Sequence, residues 1–110
     1  MNHIEASGDA FSFVVFTIIQ VTAGGYTGLG YVWGVGLGGV QFVGTLTYDS
    51  WEELTSAENS IQISNIGLVV DGILVQFFVD GNQVAFLEAF GAGAGILVGI
   101  SGSLTWTQNS

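Results

Sequence analysis

The sequence predicts an all-β fold, a small closed antiparallel barrel of seven or eight strands with one short peripheral helix. Three observations point there. Segments rich in aromatic and β-branched residues recur between turn signals, and their side chains alternate with period two, as strands require. The 110 residues include 18 glycines, many inside strand-like runs, where they permit the coiling that closure of a small barrel demands. Open sheets guard their edges with lysine, proline or inward charges, and this chain has no Lys, Arg or Pro; closure removes the edges instead.

Residues 1–9 are polar and read as a flexible N-terminal tail, leaving residues 10–107 as a single barrel domain. Ala10 to Thr22 is a first long strand. The stretch GGYTGLGYVWGVGLGG (Gly24 to Gly39) sorts its residues strictly: Leu29, Tyr31, Trp33, Val35 and Leu37 on one face, and Gly28, Gly30, Val32, Gly34, Gly36 and Gly38 on the other. That order belongs to a strand and not to a flexible linker. Val40 to Tyr48 is a further strand. DSWEELTSAEN follows, with Asp49 or Ser50 as N-cap and Glu52 or Glu53 three residues on, opening a helix of about two turns. SIQIS, GLVV, ILVQFFV and QVAFLEAF read as strands, with turn signals at Asp71-Gly72 and Asp80-Gly81-Asn82.

From Gly91 onward, Gly91, Gly93, Gly95 and Gly99 share parity with Ser101, Ser103 and Thr105. Hydroxyl residues belong to the solvent side, so these glycines are expected to face outward unless a bulge intervenes. The apolar partners of both glycine rows, Trp33 and Trp106 among them, are then expected in the core. Two flat outer faces result, Gly28, Gly30, Gly34 and Gly36 on one strand and Gly91, Gly93 and Gly95 on another. They are candidate contact surfaces for a host factor, a lipid or an apolar ligand. Strand coiling and close packing explain the same glycines without a ligand, and this is the preferred reading.

Composition excludes several functions. With nine acids, no basic side chain and a formal charge of −9, the chain lacks the cations that displace counterions from nucleic-acid phosphates, and it lacks attraction to anionic lipids at neutral pH. Gly34-Val35-Gly36-Leu37-Gly38-Gly39 matches a dinucleotide fingerprint formally, but a strand follows it where a helix is required. No cofactor is expected. His3, the one histidine, falls in the expected tail, cysteine is absent, and no metal site or activated nucleophile emerges. Gly95 to Gly99 resembles a membrane-helix packing motif, yet its apolar run is too short to span a bilayer. The chain is expected not to be an enzyme or a transmembrane protein. The start MNHIEASGDA lacks the features of a signal peptide.

Glu88 stands apart, because it shares parity with Val84, Phe86 and Phe90. If that face is the core, the carboxyl is buried with no basic partner. A bulge that turns it outward is preferred, since an unpaired buried charge costs about several kcal/mol. Trp51 is expected to pin the helix to the barrel, and Tyr26 is the freest aromatic, able to stack on a sugar.

Several motifs then resemble the Rhodococcal virulence-associated protein (Vap) family: Trp33-Gly34, Gly44-Thr45-Leu46, the helix from Asp49 to Leu54, Gln76-Phe77-Phe78 with Asp80, and Gly102-Ser103-Leu104 ending at Trp106. The likeness covers residues 10–107. It implies a small antiparallel barrel with one peripheral helix, secreted by bacteria that live in phagosomes; if it is secreted, either its leader has been removed or the sequence is trimmed. It also implies a non-enzymatic role in virulence and host interaction, linked in some members to membranes. It transfers no active-site residues, and the missing basic residues are a departure. The expected function is therefore a secreted, Vap-like barrel making pH-dependent apolar or membrane contact. The alternative is a small carbohydrate-binding module built around Tyr26.

Overall fold

The computed structural model describes residues 1–66, 72–92, 96–98 and 101–109. Their order is β1 (Asn2–Ala23), β2 (Tyr26–Tyr48), α1 (Trp51–Thr55), β3 (Asn59–Ile66), β4 (Gly72–Val79), β5 (Asn82–Ala92), β6 (Ile96–Val98) and β7 (Ser101–Gln108). The run GLVV and Asp71 lie outside the described residues. Two tight turns have the glycines their geometry requires. Gly24 and Gly25 (φ 56° and 81°) join β1 to β2, and Asp80 and Gly81 (φ 52° and 80°) join β4 to β5. Positive φ at both central residues matches the right-handed twist of the flanking strands.

All pairings are antiparallel. β2 is the spine, pairing with β1 along its whole length from Asn2↔Tyr48 to Ala23↔Tyr26. On its other edge it meets β5, β6 and β7 in succession. β4 pairs with β5, β3 with β4, and β7 with β3, so the sheet returns to β2 and closes into a seven-stranded barrel. Asn2 to Asp9, expected as a tail, are instead the first part of β1, paired with Tyr48 to Gln41. Their inward residues are small, Ala6 and Ala10 buried with Gly8 between, which is why the segment does not read as core.

The parity of two strands differs from expectation. In β2 the even residues point inward: Gly28, Val32, Val40, Phe42, Leu46 and Tyr48 are buried. Leu29, Tyr31 and Trp33 point outward, and Trp33 is 55% exposed. The physical reason lies in the neighbours. Gly28 pairs with Trp106 and Gly30 with Leu104 on one side, while Val21 and Ile19 face the same glycines on the other. A narrow barrel holds large residues only opposite small ones. Between β6 and β7 the register slips: Val35 pairs with Val98 but Val32 with Gly102, three steps against four. The inward set therefore changes from Ala85, Leu87 and Ala89 in β5 to Leu104 and Trp106 in β7. Gly91, opposite the buried Phe42, faces inward and not outward.

β1 bends sharply in its middle. The register shifts between Val14 and Phe16, and Val14 takes a φ of 61°, costly for a β-branched residue. Beyond the bend the chain folds back on itself. The Ser12 and Thr17 hydroxyls hydrogen-bond at 2.8 Å, and the Gln20 carbonyl oxygen lies where a Cβ on Gly8 would be.

At the opposite end, α1 closes the barrel. Ser50 is the N-cap, its Oγ accepting from the Glu53 amide at 3.1 Å, and the helix is five residues long, shorter than expected. Leu54 is fully buried beneath it. Trp51 meets Tyr26, Tyr48 and Trp106, with ring centroids 4.0, 4.9 and 5.2 Å apart. It pins the helix as expected.

Candidate functional site

Each candidate residue has a definite place. Gly28 and Gly30 face the interior: a Cβ on Gly28 would lie 2.7 Å from Leu104 Cδ2, and one on Gly30 would meet the Ser103 carbonyl oxygen. Gly34 is half-buried at the irregular step of the hairpin, and Gly36 is paired on both edges, with Val14 and Leu97. Gly93 and Gly95 lie outside the described residues. The described glycines are thus not an outer contact face; they admit close approach of neighbouring strands. Tyr26 is not free either. It is half-buried, with one ring face stacked on Trp51 at an interplanar angle of 13°.

Glu88 is exposed. A register shift in the β4–β5 pair sets Phe77 opposite Ala85 and Phe78 opposite Gln83, leaving Val84 as the extra residue of a bulge. Val84 and Ala85 are consequently both buried, and beyond them the even residues of β5 face solvent. Glu88 is therefore not a buried carboxylate.

The outward parity of β2 creates a surface that differs from the expected core placement of Trp33. Phe11, Phe13, Phe16, Trp33 and Tyr31 form a continuous aromatic ladder across the bend, with successive centroids 4.7, 5.1, 5.9 and 6.0 Å apart. Phe11, Phe13, Tyr31 and Trp33 are exposed, and Val14, Val15, Ile18 and Leu29 extend the apolar surface around them. Monomeric proteins rarely leave so contiguous an apolar patch uncovered without a use for it. The hairpin from Ala10 to Tyr48 contains no charged residue. Asp49, Glu52, Glu53 and Glu58 gather around α1, and Asp80 sits in the turn beyond the Tyr48↔Ala85 pair at that same end. Five acids thus gather at the helix end, while exposed Asp9 lies two residues from Phe11 and exposed Glu88 two residues from Phe90. The signal was present in the sequence as an uncharged, aromatic-rich run, but assigning Trp33 to the core hid it.

Among the described residues no group of three or more His, Cys, Asp or Glu could hold a metal, and no helix is long and apolar enough to cross a membrane. Fold and surface together define a small antiparallel β-barrel, filled by its own side chains and capped by one helix, that presents an uncharged aromatic surface. The chain belongs to the family described as Rhodococcus equi virulence-associated protein, whose model matches residues 1–107. It is similar in structure to the virulence-associated protein VapD of Rhodococcus equi, with a TM-score of 0.83 and 27% identity over 96% of this chain and 97% of that one. It also shares its fold with VapB of the same organism, with a TM-score of 0.81 and 23% identity over 97% of each chain. No curated protein sequence matches it. Both likenesses agree with the resemblance carried by the Trp33-Gly34, Gly44-Thr45-Leu46 and Gly102-Ser103-Leu104 motifs.

Proposed function

We propose that this barrel is a secreted, non-enzymatic virulence factor that acts at the host interface by apolar contact with a membrane, through the aromatic ladder. The observation that carries the reading is the exposure of Phe11, Phe13, Tyr31 and Trp33 within residues 10–48, a run with no charged side chain. Aromatic side chains favour the headgroup boundary of a bilayer, where an apolar body and a polar tip are both satisfied. With no Lys or Arg, the contact draws nothing from anionic headgroups, and the formal −9 opposes it. Lowering the pH toward the ordinary carboxylate range near about 4 removes negative charge, so contact with anionic bilayers strengthens there. The glycine faces have no part in this contact.

The test is co-sedimentation with phosphatidylcholine vesicles and with vesicles containing anionic lipid, at pH 7 and at about pH 4, within the ordinary carboxylate range, with circular dichroism at each pH. Phe13→Ser and Trp33→Ser, both at exposed positions, should reduce sedimentation several-fold while leaving the fold intact. A folded protein that stays in the supernatant at both pH values would refute the reading.

A further inference from the structure

A second feature lies on the flank of the barrel, apart from the aromatic ladder. Where the two halves of β1 close on each other at Gly8, a groove of about 480 Å³ opens to solvent, within the usual range for small-ligand sites. Its polar side comes from both halves of β1 and from β2. Asp9 and Gln41 are directly paired, so both project to the outer face, and Gln20 and Thr22 approach from beyond the fold-back. Its apolar side is Val43 and Phe90, also directly paired, and Phe90 is 69% exposed. Among the described residues, none of the side-chain hydrogen bonds uses Asp9, Gln20, Thr22 or Gln41. Their hydrogen-bonding capacity remains available to a ligand.

The chemistry of this set selects a ligand class. The Asp9 carboxylate only accepts, the Gln20 and Gln41 amides donate and accept, and the Thr22 hydroxyl does both. A matching ligand must offer several donors and acceptors at short spacing, with an apolar face for the Phe90 ring. An anion is repelled by Asp9 and by the net charge of −9. A metal ion lacks the carboxylate cluster it would need among the described residues. We infer that the groove lined by Asp9, Gln20, Gln41 and Phe90 is a binding site for a neutral saccharide, whose hydroxyls engage the carboxylate and amides while a ring face lies on Phe90.

Neutral methyl glycosides titrated into isotope-labelled protein, followed by NMR, test this directly, with a printed array of neutral, sialylated and sulfated glycans alongside. The expected result is saturable binding of a neutral sugar, shifts at Ser7, Asp9, Gln20, Gln41 and Phe90, and no retention of acidic glycans. Asp9→Ala and Gln41→Ala, both at exposed positions, should weaken binding about tenfold or more, the loss of a charge-assisted or amide hydrogen bond. Phe13→Ser and Trp33→Ser should leave it unchanged, which separates this site from the membrane contact. Absence of neutral-sugar binding by the folded protein overturns the inference. So does binding undiminished in both Asp9→Ala and Gln41→Ala, or shifts confined to the aromatic ladder.

Discussion

The indole N–H of Trp106 donates to Asn59 Oδ1 at 3.1 Å, and the same buried amide donates from Nδ2 to the carbonyls of Leu54 and Ala57, each at 3.0 Å. One fully buried side chain thereby joins β7, the C-terminal end of α1 and the start of β3. Replacing it by alanine strands an indole donor and two carbonyls. Asn59→Ala should therefore destabilise by about 2–4 kcal/mol, since each buried group left unpaired costs about 1–3 kcal/mol. Urea unfolding monitored by tryptophan fluorescence would measure it.

Glycines of different kinds should respond differently to alanine. A Cβ on Gly102 would run into the Tyr31 carbonyl oxygen, and one on Gly44 into that of Glu88. Gly102→Ala and Gly44→Ala should each cost more than about 3 kcal/mol, because backbone must move in a packed sheet. Gly81 has nothing within 4 Å of such a Cβ and only its φ of +80° to strain. Gly81→Ala should cost about 1 kcal/mol. Similar losses at all three sites in parallel urea titrations would contradict the close-approach account.

Val14 offers a gain. At φ 61° and 62% exposed, it bears left-handed strain and contributes little burial. Val14→Gly should raise stability by up to about 1 kcal/mol, the relieved strain exceeding the extra entropy of a glycine in the unfolded chain. A higher thermal midpoint is the expected readout.

The helix cap is a separable contribution. Ser50→Ala removes the acceptor of the Glu53 amide and should cost about 1 kcal/mol. The Trp51 stack on Tyr26 should persist, so near-ultraviolet circular dichroism should change little.

Local chemistry was legible in the sequence. Ser50 and Glu53 announced the helix start, Asp80-Gly81 announced the turn, and the burial of Trp106 and the bulge that turns Glu88 outward followed from ordinary pairing rules. The inside and outside of β2 were not legible. A strand with glycines on one face and aromatics on the other looks core-facing on its large side; the choice is reversed by Trp106 and Leu104, which reach over Gly28 and Gly30 from a strand some 75 positions later, at the register Gly28↔Trp106 and Gly30↔Leu104. Residues 2–9 were opaque for the opposite reason, since an inner face of Ala6, Gly8 and Ala10 carries almost no hydrophobic signal. The aromatic ladder and the saccharide groove both depend on these two assignments. Neither Phe13 beside Phe16 nor Asp9 beside Gln20 can be seen without the bend at Val14.

The pairing of β7 with both β2 and β3 bears on how the barrel is made. Tyr26 has its partner in Gln108, and Asn59 in Leu104, so the ladder that seals the sheet is supplied by β7, the last of the described strands in chain order. Until it arrives, the hairpin of β1 and β2 exposes its inner apolar row as well as its outer one, a species open to aggregation or capture by a chaperone. Such long-range closure places folding in the slow, millisecond-to-second regime of all-β topologies.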